Sequence, residues 1–244
     1  MSEIQRKFTI LHTLIREYVN TAEPVGSEVL RKRWRLEWSP ATIRNDFMEL
    51  EAEGYLAKPH ISGGRIPTDK AYRHYVNQLL EERKGMEQKA TGKLKTQSQE
   101  LEEMTSPDEM VHAAAKLMAR LTKHLVLGGI LERKAVFDSG LAQLVEEPEF
   151  IEQERIADVA RFMEDFTDNV LGLTKRLLRE DMELYIGGEN PISDMRSCTM
   201  LISDFDLPSG EQGFIAMIGP TRMRYERNIG LLEGITDVFN SRES

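Results

Sequence analysis

The order of segments between residues 4 and 66 restricts the fold more than any other feature of this sequence: three short helical patterns precede a glycine-containing hairpin. Ser39-Pro40 starts the third helix, because a serine oxygen caps free backbone N–H groups and proline needs no N–H partner there. That helix ends at Gly54, since glycine is typical just beyond a helix C-terminus. Two short strand patterns, 55–58 and 61–66, follow and include a glycine turn. This order predicts a winged helix-turn-helix.

The helices of this first region have apolar residues at helical spacing. In residues 4–19 the spacing is 4, 3, 4 and 3, which predicts an amphipathic first helix. Ser27 is predicted to cap a second helix that reaches about Trp34 and turns Val29 and Leu30 inward. Thr68 is predicted to cap a fourth helix. The apolar positions assigned to the first and fourth helices are Ile4, Phe8, Leu11, Ile15, Tyr18, Tyr72, Tyr75, Val76 and Leu79.

The composition changes after residue 80. Residues 81–106 are rich in long polar side chains and predict a polar helical linker. The chain from Ser106-Pro107 onward combines helical and strand patterns. The predicted strands are 135–137, 184–186, 197–205 and 213–218, and the predicted helices are 107–125, 151–179 and 222–239. Residues 107–244 are therefore predicted to form an α+β domain with a small sheet.

The charge is distributed unevenly along the chain. The net charge of −9 at first argues against nucleic acid, because phosphate contacts need basic surface. Residues 1–80, however, carry 12 Lys and Arg against 10 Asp and Glu, whereas residues 81–244 carry 20 against 31. Four of the basic residues lie together in 31–35. This asymmetry permits a DNA-binding N-terminal region and an acidic remainder that faces away from DNA.

The expected compartment follows from apolar runs and cysteine use. The longest unbroken apolar run, Leu125 to Leu131, has seven residues including two glycines, whereas a membrane span needs roughly 20. The first six residues lack the apolar segment that a signal peptide requires. Cys198 is the single cysteine and cannot form an internal disulfide, which favours a reducing compartment. We expect a cytoplasmic protein without membrane association.

The outward side of the third helix is the predicted surface for reading DNA sequence. In a helix-turn-helix, residues near the N-terminus of the second of its two helices enter the major groove. Arginine can bond a guanine edge, asparagine an adenine edge, and threonine or alanine can contact a thymine methyl group. Any exposed helix carries polar residues, so the prediction depends on the capped start, the preceding basic helix and the following hairpin. The predicted contact residues are Ser39, Ala41, Thr42, Arg44 and Asn45.

The glycine turn is the second predicted contact. Residues 62–65, Ser-Gly-Gly-Arg, place small residues and open N–H groups beside a guanidinium, which suits a phosphate or the minor groove. A Gly-Gly hairpin in isolation is only a tight turn. Because it follows directly on the third helix, we interpret it as the wing.

Patterns for catalysis are weak. The sequence contains no cysteine pair, His-x-x-x-His, P-loop or Gly-x-Ser-x-Gly motif, and its five histidines show no ligand spacing. Two glycine-containing turns, 187–190 and 219–222, resemble ligand-binding turns, although such turns are more often structural. We predict no catalytic residue, cofactor or metal site, and a protein that is not an enzyme.

Several strings resemble one bacterial family at both ends of the chain. The N-terminal strings are Glu23-Pro-Val-Gly-Ser27, Ser39-Pro-Ala-Thr-Ile-Arg-Asn45, Leu50-Glu51 and Gly64-Arg-Ile-Pro-Thr-Asp-Lys-Ala-Tyr-Arg73. The C-terminal strings are Glu147-Pro-Glu-Phe150, Ile186-Gly-Gly-Glu-Asn190 and Ile218-Gly-Pro-Thr-Arg-Met-Arg-Tyr225. Together they resemble the HrcA family, the heat-inducible repressors of bacterial chaperone operons, over about residues 4–80 and 140–235.

The resemblance implies a transcription repressor that binds an inverted-repeat operator in double-stranded DNA as a homodimer and is modulated by the chaperonin GroEL. It assigns base readout to Thr42, Arg44 and Asn45, and wing contacts to Ser62, Gly64 and Arg65. The implied C-terminal domain is GAF-like. The predicted fold is therefore α+β. It comprises a winged helix-turn-helix over 1–80, a polar helical linker over 81–106, and a reduced GAF-like regulatory and dimerisation domain over 107–244.

The sequence departs from the family in its middle. The usual members carry a long segment there, including an inserted module used in dimerisation, whereas only about 20 residues separate Leu127 from Pro148 here. Either that module or part of the GAF-like sheet is missing. We therefore predict a dimer contact through the helix 107–125 or the helix 222–239.

Two alternatives come from other functional classes. The first is a winged-helix regulator whose C-terminal domain senses a small molecule, with an open polar pocket around Glu189 and Asn190. The second is a protein-interaction module that has lost DNA binding, which would leave Arg44, Asn45 and Arg65 exposed but without energetic consequence.

Overall fold

The structure, a computed structural model, divides into two compact units, residues 1–85 and 86–244, and each is described by itself. The described residues are 2–59, 63–83, 101, 103–150, 153–168, 170–178 and 182–241. Most of the predicted linker, and residue 62 of the predicted wing, lie outside them.

The first unit consists of helices followed by a short hairpin and one further helix. Its elements are α1 (Glu3–Thr21), α2 (Ser27–Trp34), α3 (Pro40–Ala52), β1 (Leu56–Ala57), β2 (Ile66–Pro67) and α4 (Asp69–Arg83). The two strands pair antiparallel, with Leu56 opposite Pro67. This is the winged-helix arrangement that the sequence predicts.

The core of the first unit lies where its four helices, α1 to α4, meet. Its members are buried apolar side chains at helical spacing, which is the pattern that amphipathic helices present to a shared core. They include Ile10, Leu11, Leu14, Ile15, Leu30, Ile43, Phe47, Leu50, Tyr72 and Val76.

Three details of the predicted helices are wrong. Ile4 is 66% exposed, because the first turn of α1 extends beyond the core. Val29 is also exposed, and only Leu30 of the predicted pair turns inward. The N-cap of α2 is Gly26 and makes no side-chain cap, so Ser27 is the first helical residue.

The end of the wing is attached to the turn between α1 and α2. Val25 and Arg65 form an isolated antiparallel bridge with N···O distances of 2.9 and 3.0 Å. Gly64 allows this approach, since a Cβ there would lie 2.7 Å from the carbonyl carbon and oxygen of Pro24. Glycine at position 64 therefore allows the wing backbone to pack closely against Pro24.

The second unit is a mixed α and β structure. Its elements are α5 (Pro107–Thr122), β3 (Leu125–Ile130), β4 (Ala135–Ser139), α6 (Leu141–Val145), α7 (Gln153–Asp168), α8 (Val170–Leu177), β5 (Met182–Ile186), β6 (Cys198–Asp206), β7 (Gln212–Pro220) and α9 (Tyr225–Asn240). Short 3-10 turns occupy Pro148–Phe150, Gly187–Glu189 and Ser193–Met195.

The sheet has five antiparallel strands in the order β4-β3-β7-β6-β5, with helices on both faces. Successive residues of a strand point to opposite faces, so a strand can contribute side chains to a core on each face of the sheet. On one face α7 buries Phe162 and Phe166 against alternate residues of β3, β6 and β7. On the other face α5 packs on β3 and β4, and α9 packs on β6. The unit is therefore a three-layer structure.

The strand β3, which lies between β4 and β7, is the main element that the sequence reading missed. Its apolar run contains Gly128 and Gly129, which weaken a strand pattern because glycine has no side chain to pack. Here both glycines are required by close neighbours. A Cβ on Gly128 would lie 3.0 Å from Val111, and one on Gly129 would lie 2.4 Å from the Ala135 carbonyl oxygen and from the Phe214 ring.

The predicted helix over 151–179 and the start of the last helix also differ. The described residues there form two helices, α7 and α8, and α9 begins at Tyr225. Both α5 and α9 bury their apolar stripes within their own unit, including Val111 and Met118 of α5 and Ile229 and Leu232 of α9. These stripes are consequently not available for the predicted dimer contact.

Within the described part of the chain, no helix has the length and apolar character that crossing a bilayer requires.

We predict that Gly129→Ala lowers the free energy of unfolding by about 1–3 kcal/mol more than Gly210→Ala does, because the added methyl group overpacks a closed core. Gly210→Ala is the matched control, since a Cβ at Gly210 has open space and meets only the strain of a positive φ, which costs roughly 1–2 kcal/mol. Urea unfolding of both variants measures the difference. Equal losses would mean that β3 tolerates a side chain at this position.

Candidate DNA-binding interface

The start of α3 is fixed by two hydroxyl groups. The Ser39 Oγ accepts the backbone N–H of Thr42 at 3.1 Å and lies 2.9 Å from the Thr42 hydroxyl oxygen. Pro40 occupies the first turn, as predicted for a helix start. Ser39 and Thr42 are therefore partly engaged in holding the N-terminus of α3 in place.

The outward face of α3 carries Ala41, Arg44 and Asn45, all exposed. Its inward face carries Ile43, Phe47 and Leu50, all buried. The five residues predicted to read bases thus lie together at the N-terminal half of one helix, on or beside its exposed face.

Met48 extends this exposed face by one turn and was missed by the sequence reading. It is 53% exposed and follows Arg44 by four residues and Asn45 by three. Side chains at these spacings share one face of a helix, so the signal was present in the sequence. An apolar side chain at this place can contact a thymine methyl group.

A buried carboxylate holds α3 against α1. Asp46 is 1% exposed and accepts both the Nε and an Nη of Arg6, each at 3.0 Å. This bidentate geometry fixes direction as well as distance. The hydrogen bonds with Asp46 raise the pKa of Arg6.

A second buried carboxylate holds α2 against α1. Glu17 accepts a hydrogen bond from the Arg33 guanidinium and another from the Trp34 indole Nε1 at 2.9 Å. Both partners lie in the last turn of α2. Glu17 therefore orients the basic helix α2 against α1, the same helix that holds α3.

The remaining acidic residues of α3 also have cationic partners. Lys7 contacts Glu49 at 3.4 Å and Glu53 at 2.5 Å, and the bond with Glu53 is the main cause that raises the pKa of Lys7. Arg65 pairs with Glu51 at 2.8 Å. Each acidic residue of α3 and of its C-cap therefore has a cationic partner within the unit, while Arg44 stays exposed.

The wing residues lie in different environments. Gly64 is buried against Pro24, and the Arg65 side chain is only 12% exposed because it faces Glu51. The sequence analysis expects this guanidinium to contact a phosphate or the minor groove, whereas here it faces a carboxylate. Ser62 lies outside the described residues.

The exposed side of α2 adds positive charge beside α3. Arg31 and Lys32 are exposed, as is Arg35 at the helix C-cap. In a helix-turn-helix the first helix crosses the DNA backbone, so cations on it suit phosphate contacts.

A pair of histidines joins α1 to α4, with His12 on α1 and His74 on α4. The Nε2 of His12 lies 3.2 Å from the Nδ1 of His74, and the His74 ring stacks on Phe8 with centroids 4.3 Å apart. Burial lowers the pKa of His12 to about 4 and also lowers the pKa of His74. Both rings are consequently neutral near pH 7 and act as packing groups.

The two turns considered as ligand sites are used structurally. Asn190 is buried, and its Nδ2 lies 2.9 Å from the carbonyl oxygens of Met195 and Cys198. Glu189 accepts the backbone N–H of Ile186 at 2.9 Å. The open polar pocket that a sensor would need around these residues is replaced by a closed turn.

Arg222 of the second turn is likewise occupied. It pairs with Glu147 at 2.5 Å and with Glu149, which joins the turn after β7 to the segment before Phe150. An anion at this place would have to displace two carboxylates.

A cavity of about 460 Å³ does lie between the β6–β7 hairpin and α9. Its lining includes Asp204, Asp206, Glu233 and Asp237, and burial raises the pKa of Asp237. Such a surface repels phosphate, which is consistent with the acidic balance of the second half of the chain.

Candidate metal ligands and the single cysteine are the side chains to which the sequence predictions about metal sites and catalysis apply. No cluster of three or more His, Cys, Asp or Glu side chains is suitably placed for a metal among the residues that the structure describes. Burial raises the pKa of the Cys198 thiol to about 11, so the thiolate is scarce near pH 7.

These observations define a class of protein. The first unit has the helices and wing of a winged-helix DNA-binding domain, with a capped, cation-bearing second helix of the helix-turn-helix. Residues 1–81 match the winged helix-turn-helix transcription repressor domain described as HrcA DNA-binding. Residues 66–229 match the HrcA protein C-terminal domain. The chain therefore belongs to the HrcA family, and its curated relatives are heat-inducible transcription repressors.

Two relatives show the extent of the similarity. The heat-inducible transcription repressor HrcA of Shouchella clausii is 25% identical, over 98% of this chain and 97% of its own length. The HrcA of Natranaerobius thermophilus is 27% identical, over 97% and 96%. The alignment with the first extends over 336 positions, 92 more than the 244 residues of this chain. The additional positions are gaps in this chain, which is therefore shorter than that relative.

One solved structure has the same fold from end to end. A crystal structure of a hypothetical protein superposes with a TM-score of 0.77 and covers 99% of both chains, at 20% sequence identity. This similarity concerns the fold alone and supports the α+β, GAF-like description of the second unit.

We predict that Arg6→Ala lowers the Tm of the first unit more than Lys7→Ala does. Removing Arg6 leaves the Asp46 carboxylate buried without its cation, whereas Lys7 serves carboxylates that remain partly in water. Thermal unfolding followed by circular dichroism compares the two variants. Equal shifts would show that the Arg6–Asp46 pair is no more important than a surface pair.

Proposed function

We propose that this repressor binds an inverted-repeat operator as a homodimer and that α3 of each protomer reads base edges in the major groove. The observation that carries this proposal is the exposed face of α3, where Arg44 and Asn45 stand outward on a capped helix whose acidic residues are paired within the unit.

Base readout is assigned to the N-terminal half of α3. Arg44 suits a guanine edge, Asn45 an adenine edge, and Ala41 and Thr42 a thymine methyl group. Ser39 serves the helix start and the adjoining phosphate. Met48 adds an apolar contact one turn further along the same face.

Phosphate contacts are assigned to α2 and to the wing. Arg31, Lys32 and Arg35 provide charges that are independent of DNA sequence. The wing contacts of Ser62, Gly64 and Arg65 stay predictions, and the role of Arg65 is treated separately below.

We infer a homodimer because one winged-helix domain is small and can contact only a few phosphates. Two such domains on a two-fold operator gain affinity by acting together. The joining surface has to differ from the apolar stripes of α5 and α9, which are buried on their own sheet. Modulation by GroEL, a cytoplasmic location and the predicted boundaries at residues 80 and 106 also stay predictions.

The alternative of a small-molecule sensor has less support. Its predicted site around Asn190 is a closed turn, and α7 fills one face of the sheet with aromatic side chains. The remaining cavity beside α9 has an acidic lining, which suits at most a cationic molecule.

We predict that Arg44→Ala weakens specific binding by about 1–3 kcal/mol and relaxes the preference at one base pair, because a bidentate base contact is lost. The probe is a duplex that the wild-type chain selects from a randomised library. Arg120→Ala is the matched control, since Arg120 is an exposed arginine of the second unit. Unchanged affinity in both Arg44→Ala and Asn45→Ala would contradict base readout by α3.

We predict a dimer in light scattering at micromolar protein concentration, and tighter binding to the full inverted repeat than to one half-site. Deleting residues 1–80 is expected to leave the dimer intact. A monomer that binds a single half-site as tightly as the complete repeat would contradict the proposed assembly.

A further inference from the structure

The Arg65 side chain is held inside the first unit. Its Nε and one Nη each lie 2.8 Å from the same carboxylate oxygen of Glu51. Its other Nη lies 3.4 Å from the carbonyl oxygens of Gly63 and Gly64. All three guanidinium nitrogens therefore have acceptors within the protein, and the side chain is only 12% exposed.

The Arg65 backbone is fixed by a second, separate set of contacts. Its N–H and carbonyl oxygen both pair with Val25, in the turn between α1 and α2. The preceding Gly64 packs so closely on Pro24 that no side chain fits there. One residue thus joins three segments: the last turn of α3 through Glu51, the turn before α2 through Val25, and the entry into β2.

We propose that Arg65 is a positioning residue. Together with Glu51 it fixes the wing relative to α3, so that both elements meet the same duplex in register, and its guanidinium is not itself a phosphate ligand. This inference rests on the proposed function, because it concerns how the reading surface is held together. It reassigns one of the predicted wing contacts from DNA to Glu51.

The two roles of Arg65 predict opposite effects at Glu51. If the guanidinium bound a phosphate, Glu51 would compete with that phosphate, and its neutralisation would strengthen DNA binding. If the guanidinium positions the wing, neutralising Glu51 breaks the charge-assisted pair and misplaces the wing. DNA binding then weakens, although the protein has lost a negative charge beside the interface.

Arginine and lysine also separate the two roles. Lysine retains the positive charge, but its ammonium cannot reproduce the planar fork that reaches Glu51 and the two glycine carbonyls together. A phosphate ligand tolerates Arg65→Lys, whereas a positioning residue does not.

The experiment measures the Kd of the full chain at one fixed salt concentration. The probe is a duplex that the wild-type chain has selected from a randomised library. The variants are Glu51→Gln, Arg65→Ala, Arg65→Lys and the double variant Glu51→Gln/Arg65→Ala. The matched control is Glu37→Gln, because Glu37 is exposed between α2 and α3 and forms no ion pair with any residue that the structure describes.

The expected result is that Glu51→Gln weakens binding on the order of tenfold, the usual scale of coupling between contacting side chains. Arg65→Ala and Arg65→Lys weaken it to a similar degree, and the double variant loses no more than the single ones. Glu37→Gln leaves binding unchanged or makes it tighter. Circular dichroism melting confirms folding, and the nearly isosteric Glu51→Gln keeps the test decisive if Arg65→Ala unfolds.

Tighter binding by Glu51→Gln, or full activity of Arg65→Lys, would overturn the positioning role while leaving DNA binding by α3 intact. A wild-type chain that selects no duplex would overturn the proposed function, and the positioning role with it. The two failures are therefore distinguishable.

Discussion

The bidentate pair between Arg6 and Asp46 is the interaction on which the reading surface depends. Asp46 lies on the inward side of α3, directly after Arg44 and Asn45, so whatever fixes Asp46 also fixes the direction in which those two side chains point. A buried carboxylate without a cation is costly, and rotation of α3 about its axis would break both hydrogen bonds at once. The pair therefore couples the stability of the unit to the orientation of its exposed face.

Ion pairs with α1 and with the wing also determine the electrostatics of α3. Its second half carries three acidic residues and its C-cap a fourth, which alone would repel DNA. Each has a cationic partner on α1 or at the wing: Asp46 with Arg6, Glu49 and Glu53 with Lys7, and Glu51 with Arg65. The exposed cations next to this surface include Arg31 and Lys32 on α2, Arg35 at its C-cap, and Arg44 on α3. A region whose charges nearly balance can thus present a positive surface, because its negative charges are used internally.

The sequence predicted the first unit well because its signals are local. Helical spacing, the Ser39-Pro40 start and the glycine turn each depend on a few neighbouring residues, and they located α1, α3 and α4 within a few positions. The missed features depend on distant contacts. Gly128 and Gly129 fit an interior strand because Val111 and Phe214 occupy the space that a side chain would need. The partner of Arg65, Glu51, lies 14 residues earlier in the chain, and Ile4 fits the apolar spacing although its side chain is 66% exposed.

The sheet of the second unit is continuous in the part of the chain where the sequence analysis expects a missing segment. The strands β3 and β4 form a continuous antiparallel ladder from Val126–Ser139 to Ile130–Ala135, and α6 follows β4 after a single glycine. Residues 147–150 then join the body of the unit through Arg222 and the buried Phe150. Of the two absences that the sequence left open, loss of part of the sheet is thus less compatible with the structure than loss of a module inserted beside it. A domain can lose such a module without exposing its core, because the inserted segment contributes few of the contacts that the sheet needs.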